Sequence, residues 1–354
     1  MNLLREPTSD EKKRLQIKAG IIIFIGVFFA VFSFYIYQIF FSDNLQINKP
    51  DKPLYIRTGA TFEEVADSLM QGGYVHDRLS FMFLSKLTGY REHVQPGRYL
   101  ITTNMNNYAL FKKLNNGRQD PLKLTIVNVR TMTDLALKIS NKLEISYQSV
   151  LDTLIRPDVA QRYGFNDTTF IAMFLPDTYE IYWTWQMPQI LSMFQKQYLN
   201  FWNQERREKA QAIKLTPKEV IIMASIVQAE TNIDDEKPRI AGVYMNRYNG
   251  KKRLQADPTL IFATQDFSAK RVTEYHRYFK SPFNTYRKIG LPPGPINIPS
   301  ISSIEAVLNY EKHEYYFFCA APDLSGKHLF SKTFDDHLQV AQTYWKSLDK
   351  ANIH

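Results

Sequence analysis

A single cysteine in 354 residues, Cys319, rules out an internal disulfide and any metal site built from paired thiols. It lies in Tyr315-Tyr-Phe-Phe-Cys-Ala-Ala321, a strand-like run in which a thiol acts as a small hydrophobe. The seven histidines show no ligand spacing, so no metal and no cofactor are expected. The formal charge is +9, yet there is no long Lys/Arg run and no recognisable nucleic-acid module. Nucleic acid is therefore not the expected partner, whereas an anionic polymer or a membrane surface suits a dispersed basic exterior.

Charge is also missing from Ala19 to Phe41, where Gln38 is the one strongly polar side chain. A helix of that length spans a hydrocarbon layer of about 30 Å. Lys12, Lys13, Arg14 and Lys18 precede it, and Asp43 is the first charge after it. The positive-inside rule puts residues 1–18 in the cytoplasm, 19–41 in the membrane and everything beyond 42 outside. A cleaved signal peptide is the rival reading. Against it, the run is long, rich in Phe and Ile, and lacks a small-residue cleavage pattern near its end. The polar stretch 42–53, with two prolines, reads as a linker.

Beyond the linker a short β-like run, a turn and a small amphipathic helix recur three times. Leu54-Tyr-Ile leads to the capping box Thr61-Phe-Glu-Glu64, with Val65, Ala66 and Leu69 inward. Arg98–Thr102 leads to Leu110, Phe111 and Leu114, and Leu124–Val127 leads to Leu135, Ala136 and Ile139. Such units bury little alone and should pack together as one small αβ domain, 54–140. Tyr55, Tyr74 and Tyr99 suit either core packing or stacking on sugar, and core is favoured. Residues 141–354 then read as a second, mixed α+β domain. It is mostly helical to residue 215 and ends in a hairpin around Asp323-Leu-Ser-Gly326 and a closing helix, Asp335–Lys350. The fold class expected is α+β behind a transmembrane helix.

The second domain is organised around Lys218–Thr231. Thr216 as N-cap, Pro217 at the first helical position and Glu219 at N3 specify a helix start. From Val220 to Val227 nearly every residue is apolar or small, the pattern of a helix buried all round. Glu230 breaks the run near its end, on the face of Met223, Ile226 and Val227. Partial desolvation and the negative end of the helix dipole both favour its protonated form, which suits a general acid. The alternative is a solvated glutamate where a helix stops. Downstream, Asp257-Pro258 suits the N-cap and N1 of another helix, so Asp257 is either a cap or a member of the site. Ser302 and Glu305 are expected to cap the helix after the proline-rich stretch Lys280–Pro299.

Six blocks occur in order: Ala224-Ser-Ile-Val-Gln-Ala-Glu-Thr231, Ala241-Gly-Val-Tyr-Met-Asn-Arg247, Leu254-Gln-Ala-Asp-Pro-Thr259, Asn284-Thr-Tyr286, Gly290-Leu-Pro-Pro-Gly-Pro295 and His328-Leu-Phe-Ser331. Together they resemble the signature blocks of the YceG-like family, the endolytic murein transglycosylases. Phe174-Leu-Pro-Asp-Thr-Tyr179 adds another, and would place Asp177 and Tyr179 near the cleft or in a packed turn. Gly59-Ala-Thr-Phe62 and Gln95-Pro-Gly-Arg-Tyr99 resemble the family's LysM-like domain.

The resemblance implies cleavage of the MurNAc–GlcNAc β-1,4 bond of peptidoglycan without water, leaving a 1,6-anhydro end. Glu230 would be the catalyst, because the earlier position at which many members carry a second glutamate is Gln228 here. Asn246, Arg247, Gln255, Asp257, Asn284, Tyr286 and His328 are the candidate substrate-binding residues, and His337 is a further cleft candidate. Peptidoglycan strands, the membrane and wall-synthesis enzymes are the implied partners. A water-using muramidase with Asp257 as second carboxylate, and a non-catalytic wall-binding scaffold, are the alternatives.

Overall fold

The uncharged N-terminal run is the interior of a longer helix, Ser9–Phe41, in a computed structural model of the protein that describes residues 8–41, 51–75, 77–103, 105–269 and 271–350. The helix starts well before Ala19 because Thr8 and Glu11 cap it reciprocally. Thr8 N donates to Glu11 Oε2 at 2.8 Å and Glu11 N to Thr8 Oγ1 at 3.4 Å. Its 33 residues make a rod of about 50 Å, and its apolar window, none of it buried, is long enough to cross a membrane. Ile39, near its end, is buried.

The described residues divide into two compact units, Met1–Pro121 with Tyr182–Thr184, and Leu122–Ile181 with Trp185–His354. In the first, β1 (Lys52–Ile56) pairs antiparallel with β2 (Gly97–Ile101), Leu54 opposite Tyr99. The helices Phe62–Gln71, Arg78–Leu87 and Asn107–Asn115 bury their apolar faces in one core, where Phe81 stacks on Phe111 at 4.6 Å. Tyr99 and Tyr74 are core residues, and their hydroxyls donate to the carbonyls of Gln95 (3.0 Å) and Pro53 (2.7 Å). Tyr55 is 47% exposed and packs edge-on against Trp183. Of the expected linker, residues 42–50 lie outside the described residues, and Lys52 and Pro53 already belong to β1.

The third small αβ unit does not join the first two. Its strand β3 (Leu122–Ile126) pairs with β4 (Asp177–Ile181), Leu124 opposite Tyr179. Leu124, Ile126, Leu135 and Ile139 thereby enter the core of the second unit. Where the sequence suggests a boundary at 140, the compact units divide after Pro121, and among the described residues β3 pairs with β4. Tyr179 is buried against Phe194 with its hydroxyl on the Leu175 carbonyl (2.7 Å), so it belongs to the core and not to a cleft.

The rest of the second unit wraps the helix Pro217–Glu230, which touches the helices Lys237–Asn249 and Ile301–Leu308. The hairpin β5 (Phe317–Ala320) and β6 (His328–Ser331) pairs antiparallel, and the closing helix runs Phe334–Lys350. The chain is thus mixed α+β behind one long apolar helix.

Candidate active site

The helix Pro217–Glu230 begins as its sequence demands. Glu219 N donates to Thr216 Oγ1 at 3.3 Å and Thr216 N to Glu219 Oε2 at 2.7 Å. Every residue from Val220 to Val227 is buried, so the helix is immobilised along its length and Glu230 projects from a fixed last turn. The proline-rich segment is stitched to that turn. Ile296 N donates to Ser225 Oγ (3.1 Å), Asn297 Nδ2 to Ser225 O (2.8 Å), and Ser300 N and Ser303 Oγ both to Gln228 Oε1 (3.2 and 2.8 Å). Gln228, which sequence comparison only removes from contention as the acid, is therefore the fastener between helix and loop. Ser300, not Ser302, caps the helix Ile301–Leu308. Ser302 instead bonds Lys237 Nζ and Asp234.

Glu230 is half-buried, and Tyr244 Oη donates to its Oε1 at 2.5 Å. Burial raises its pKa from an ordinary 4.5 to about 7. The Tyr244 hydrogen bond and the charge of Arg247 pull the other way, and the charge of Asp257 adds to the rise. Tyr244 itself is held well above the ordinary tyrosine range by burial and by Glu230, so it remains a donor. The sequence shows Tyr244 only as a member of the block Ala241–Arg247, with no role assigned. The available signal is that a tyrosine hydroxyl on a buried face needs a polar partner.

Asp257 stands at the first helical position of Asp257–Thr264, after the N-cap Ala256, and makes no capping bond. Its Oδ1 accepts from Tyr286 Oη at 2.5 Å, and burial and Asp257 together raise the Tyr286 pKa. The expectation of a cap at Asp257 is thus replaced by a carboxylate–tyrosine pair that matches Glu230–Tyr244. Arg247 donates to the carbonyls of Tyr316 and Leu254, both at 2.7 Å, and to Gln255 Oε1 at 3.4 Å. Burial lowers its pKa, while Tyr244, Tyr286 and Glu230 support its charge. Glu230, Arg247, Gln255, Asp257 and Tyr286 therefore form one polar group.

Three candidates are engaged elsewhere. Asn246 Nδ2 ties the carbonyls of His313 (2.8 Å) and Tyr315 (2.9 Å). Asn284 is fully buried, with Nδ2 on the carbonyls of Arg277 and Phe279 and Oδ1 accepting from Tyr286 N. His328 meets Glu236 through its backbone N (2.8 Å) and Nδ1 (3.0 Å). Each is thereby tied into the fold by its own hydrogen bonds. His337 stacks on Phe317 with its Nδ1 unpaired, and burial and Arg247 lower its pKa. No group of His, Cys, Asp and Glu suited to a metal occurs among the described residues.

This geometry makes opposite predictions for two variants. If Glu230 acts as an acid, activity falls as pH rises through about 7. Tyr244→Phe removes the bond that favours the carboxylate and should move this alkaline limb upward by about one pH unit. Asp257→Asn removes the opposing charge and should move it downward. Rate–pH profiles of the two variants shifting in the same direction would reject the assignment.

A half-buried glutamate with a raised pKa on a central helix, with the charge of a second carboxylate acting on it, marks out a polar site in an α+β unit. More particularly, the chain belongs to the YceG-like family, whose model matches residues 54–343. It is 26% identical to the endolytic murein transglycosylase of Bacillus subtilis (strain 168), covering 82% of this chain and 84% of that protein. To the endolytic murein transglycosylase of Streptococcus pneumoniae serotype 2 (strain D39) it is also 26% identical, over 91% of this chain and 64% of that one. A crystal structure of a YceG-like protein from Listeria monocytogenes superposes with a TM-score of 0.55 at 27% identity, covering 83% of this chain and 99% of that one.

Proposed function

We infer that the chain is a membrane-anchored endolytic murein transglycosylase. The observation that carries this reading is Glu230, half-buried at the end of a rigid helix with a pKa of about 7. Family membership and the names of its relatives support it. The substrate is the peptidoglycan glycan and the bond is MurNAc–GlcNAc β-1,4. Protonated Glu230 gives its proton to the glycosidic oxygen as the C1–O bond breaks. The carboxylate so formed accepts the proton of the sugar's own C6 hydroxyl, whose oxygen closes on C1. The product is a 1,6-anhydro end, and no water is consumed. One group performs both transfers, and a pKa near neutrality suits both directions. Tyr244 favours the carboxylate stage and the charge of Asp257 favours the acid stage.

Arg247, Gln255, Asp257 and Tyr286 bind the sugars in this scheme, while Asn246, Asn284 and His328 support the loops that carry them. The helix Ser9–Phe41 is the single membrane span, N-terminus in the cytoplasm and residues beyond 42 outside. The LysM-like region, 54–140 by sequence resemblance although Leu124 to Ile139 pack in the core of the second unit, contacts glycan strands ahead of the catalytic region, 141–354 by the same resemblance, and wall-synthesis enzymes are the protein partners.

The nearness of Asp257 favours one second reading, hydrolysis with two carboxylates. Mass spectrometry of peptidoglycan digested by the protein separates the two, since the anhydro product is lighter by one water. Internal anhydro ends are expected. Reducing ends would convert the enzyme to a muramidase, and an absence of products would favour a wall-binding scaffold.

A further inference from the structure

Next to the acid, the surface opens into a groove of about 370 Å³ that Arg247 and Gln255 share with the site. Lys251, Lys252 and Arg253 also line it, and among the described residues none of its four cations forms an ion pair with a carboxylate. The loop that gathers them adopts a costly backbone: Lys251 and Gln255 have φ of 51° and 52°, the left-handed region that non-glycine residues avoid. The remaining lining is apolar. Tyr316 lies under the Lys252 ammonium at 4.3 Å and Phe317 near the Arg247 guanidinium at 5.1 Å, with exposed Ile289 completing the wall.

Lys251, Lys252 and Arg253, without ion-pair partners on a concave surface, attract anions, and aromatic and aliphatic lining prefers an anion with apolar parts. Simple phosphate has none. A short peptide bearing carboxylates and small alkyl side chains has both. We propose that this groove binds the carboxylate-bearing peptide arms of the glycan strand while the sugars lie across Glu230. The proposal rests on the peptidoglycan substrate inferred above. Because the groove and the acid share Arg247, arm and bond are read together, and the enzyme distinguishes strands that carry peptides from strands stripped of them.

The test is binding by the full chain carrying Glu230→Gln, in detergent, with and without the triple substitution Lys251→Ala, Lys252→Ala, Arg253→Ala. Three strand preparations serve as probes: peptide-bearing, stripped by an amidase, and peptide-bearing with its carboxyls chemically amidated. The triple substitution should weaken binding of peptide-bearing strands about tenfold and leave stripped strands unchanged. Amidation should impose the same loss on the unsubstituted groove. Equal weakening on peptide-bearing and stripped strands, or none on either, overturns the proposal. So does displacement of peptide-bearing strands by poly(glycerol phosphate) but not by free peptide. If the triple variant folds poorly, Lys251→Gln with Arg253→Gln replaces it and is judged by the same comparison. Failure of the functional reading is separable, since a protein with Glu230 intact would then yield no cleaved strands while the difference in binding persisted.

Discussion

Glu230→Gln should abolish strand cleavage, by about a thousandfold or more, and yet make the protein more stable above neutral pH. The sign follows from the two pKa values. Below pH 4.5 the side chain is neutral whether the chain is folded or not, so it contributes nothing. Between 4.5 and about 7 the unfolded chain loses the proton first, and stability declines. Above 7 the loss is complete, at about 3 kcal/mol. Glutamine keeps the Tyr244 hydrogen bond and never ionises, so the variant escapes the loss. Thermal melts at pH 4 should therefore coincide, while at pH 8 the variant should melt about 6–12 °C higher. A solvated glutamate at a helix end would give equal melts at both pH values.

Gly294→Ala should be the most damaging substitution remote from the acid. A Cβ at this position would stand 2.0 Å from the backbone carbonyl oxygen of Thr168, which no rotamer change relieves. The segment is also held there by Thr168 Oγ1 on the Pro293 carbonyl, at 3.0 Å. Lifting it would strain the bonds from Ile296, Asn297 and Ser300 to the last turn of the central helix. A stability loss of about 3 kcal/mol is expected, with a melting temperature lower by about 6–12 °C and activity reduced in the fraction that stays folded. Removing only the Thr168 side chain should be milder, because the obstacle is a carbonyl. Unchanged melting for Gly294→Ala would mean that the loop is free to move away.

Local chemistry was legible in the sequence wherever the determinant was local. Thr216 with Glu219 and Thr61 with Glu64 announce their caps, and the apolar run from Val220 to Val227 announces a buried helix. At Glu230 the sequence leaves two readings open, a solvated helix end or a partly desolvated carboxyl, and burial with a raised pKa matches the second. What escaped depends on distant partners. Asn246 and Arg247 are adjacent polar residues on one helix, but successive side chains point about 100° apart. One of them ties the backbone near β5 and the other reaches the acid group. Asp257 has no capping role because Ala256 occupies the N-cap position and Tyr286 takes the carboxylate. The ladder of β3 with β4 joins segments far apart in the chain, a pairing that no periodicity reveals.

The end of the N-terminal helix carries a mechanical consequence. Asn107 Nδ2 donates to the Ile39 carbonyl at 2.9 Å, Ile39 is buried in the same core as Leu54 and Tyr99, and Phe40 lies against Tyr108. The first unit is thus packed directly on the last turn of the long apolar helix. Wherever that helix is held, the first unit is held with it, at a distance set by side-chain packing rather than by chain length.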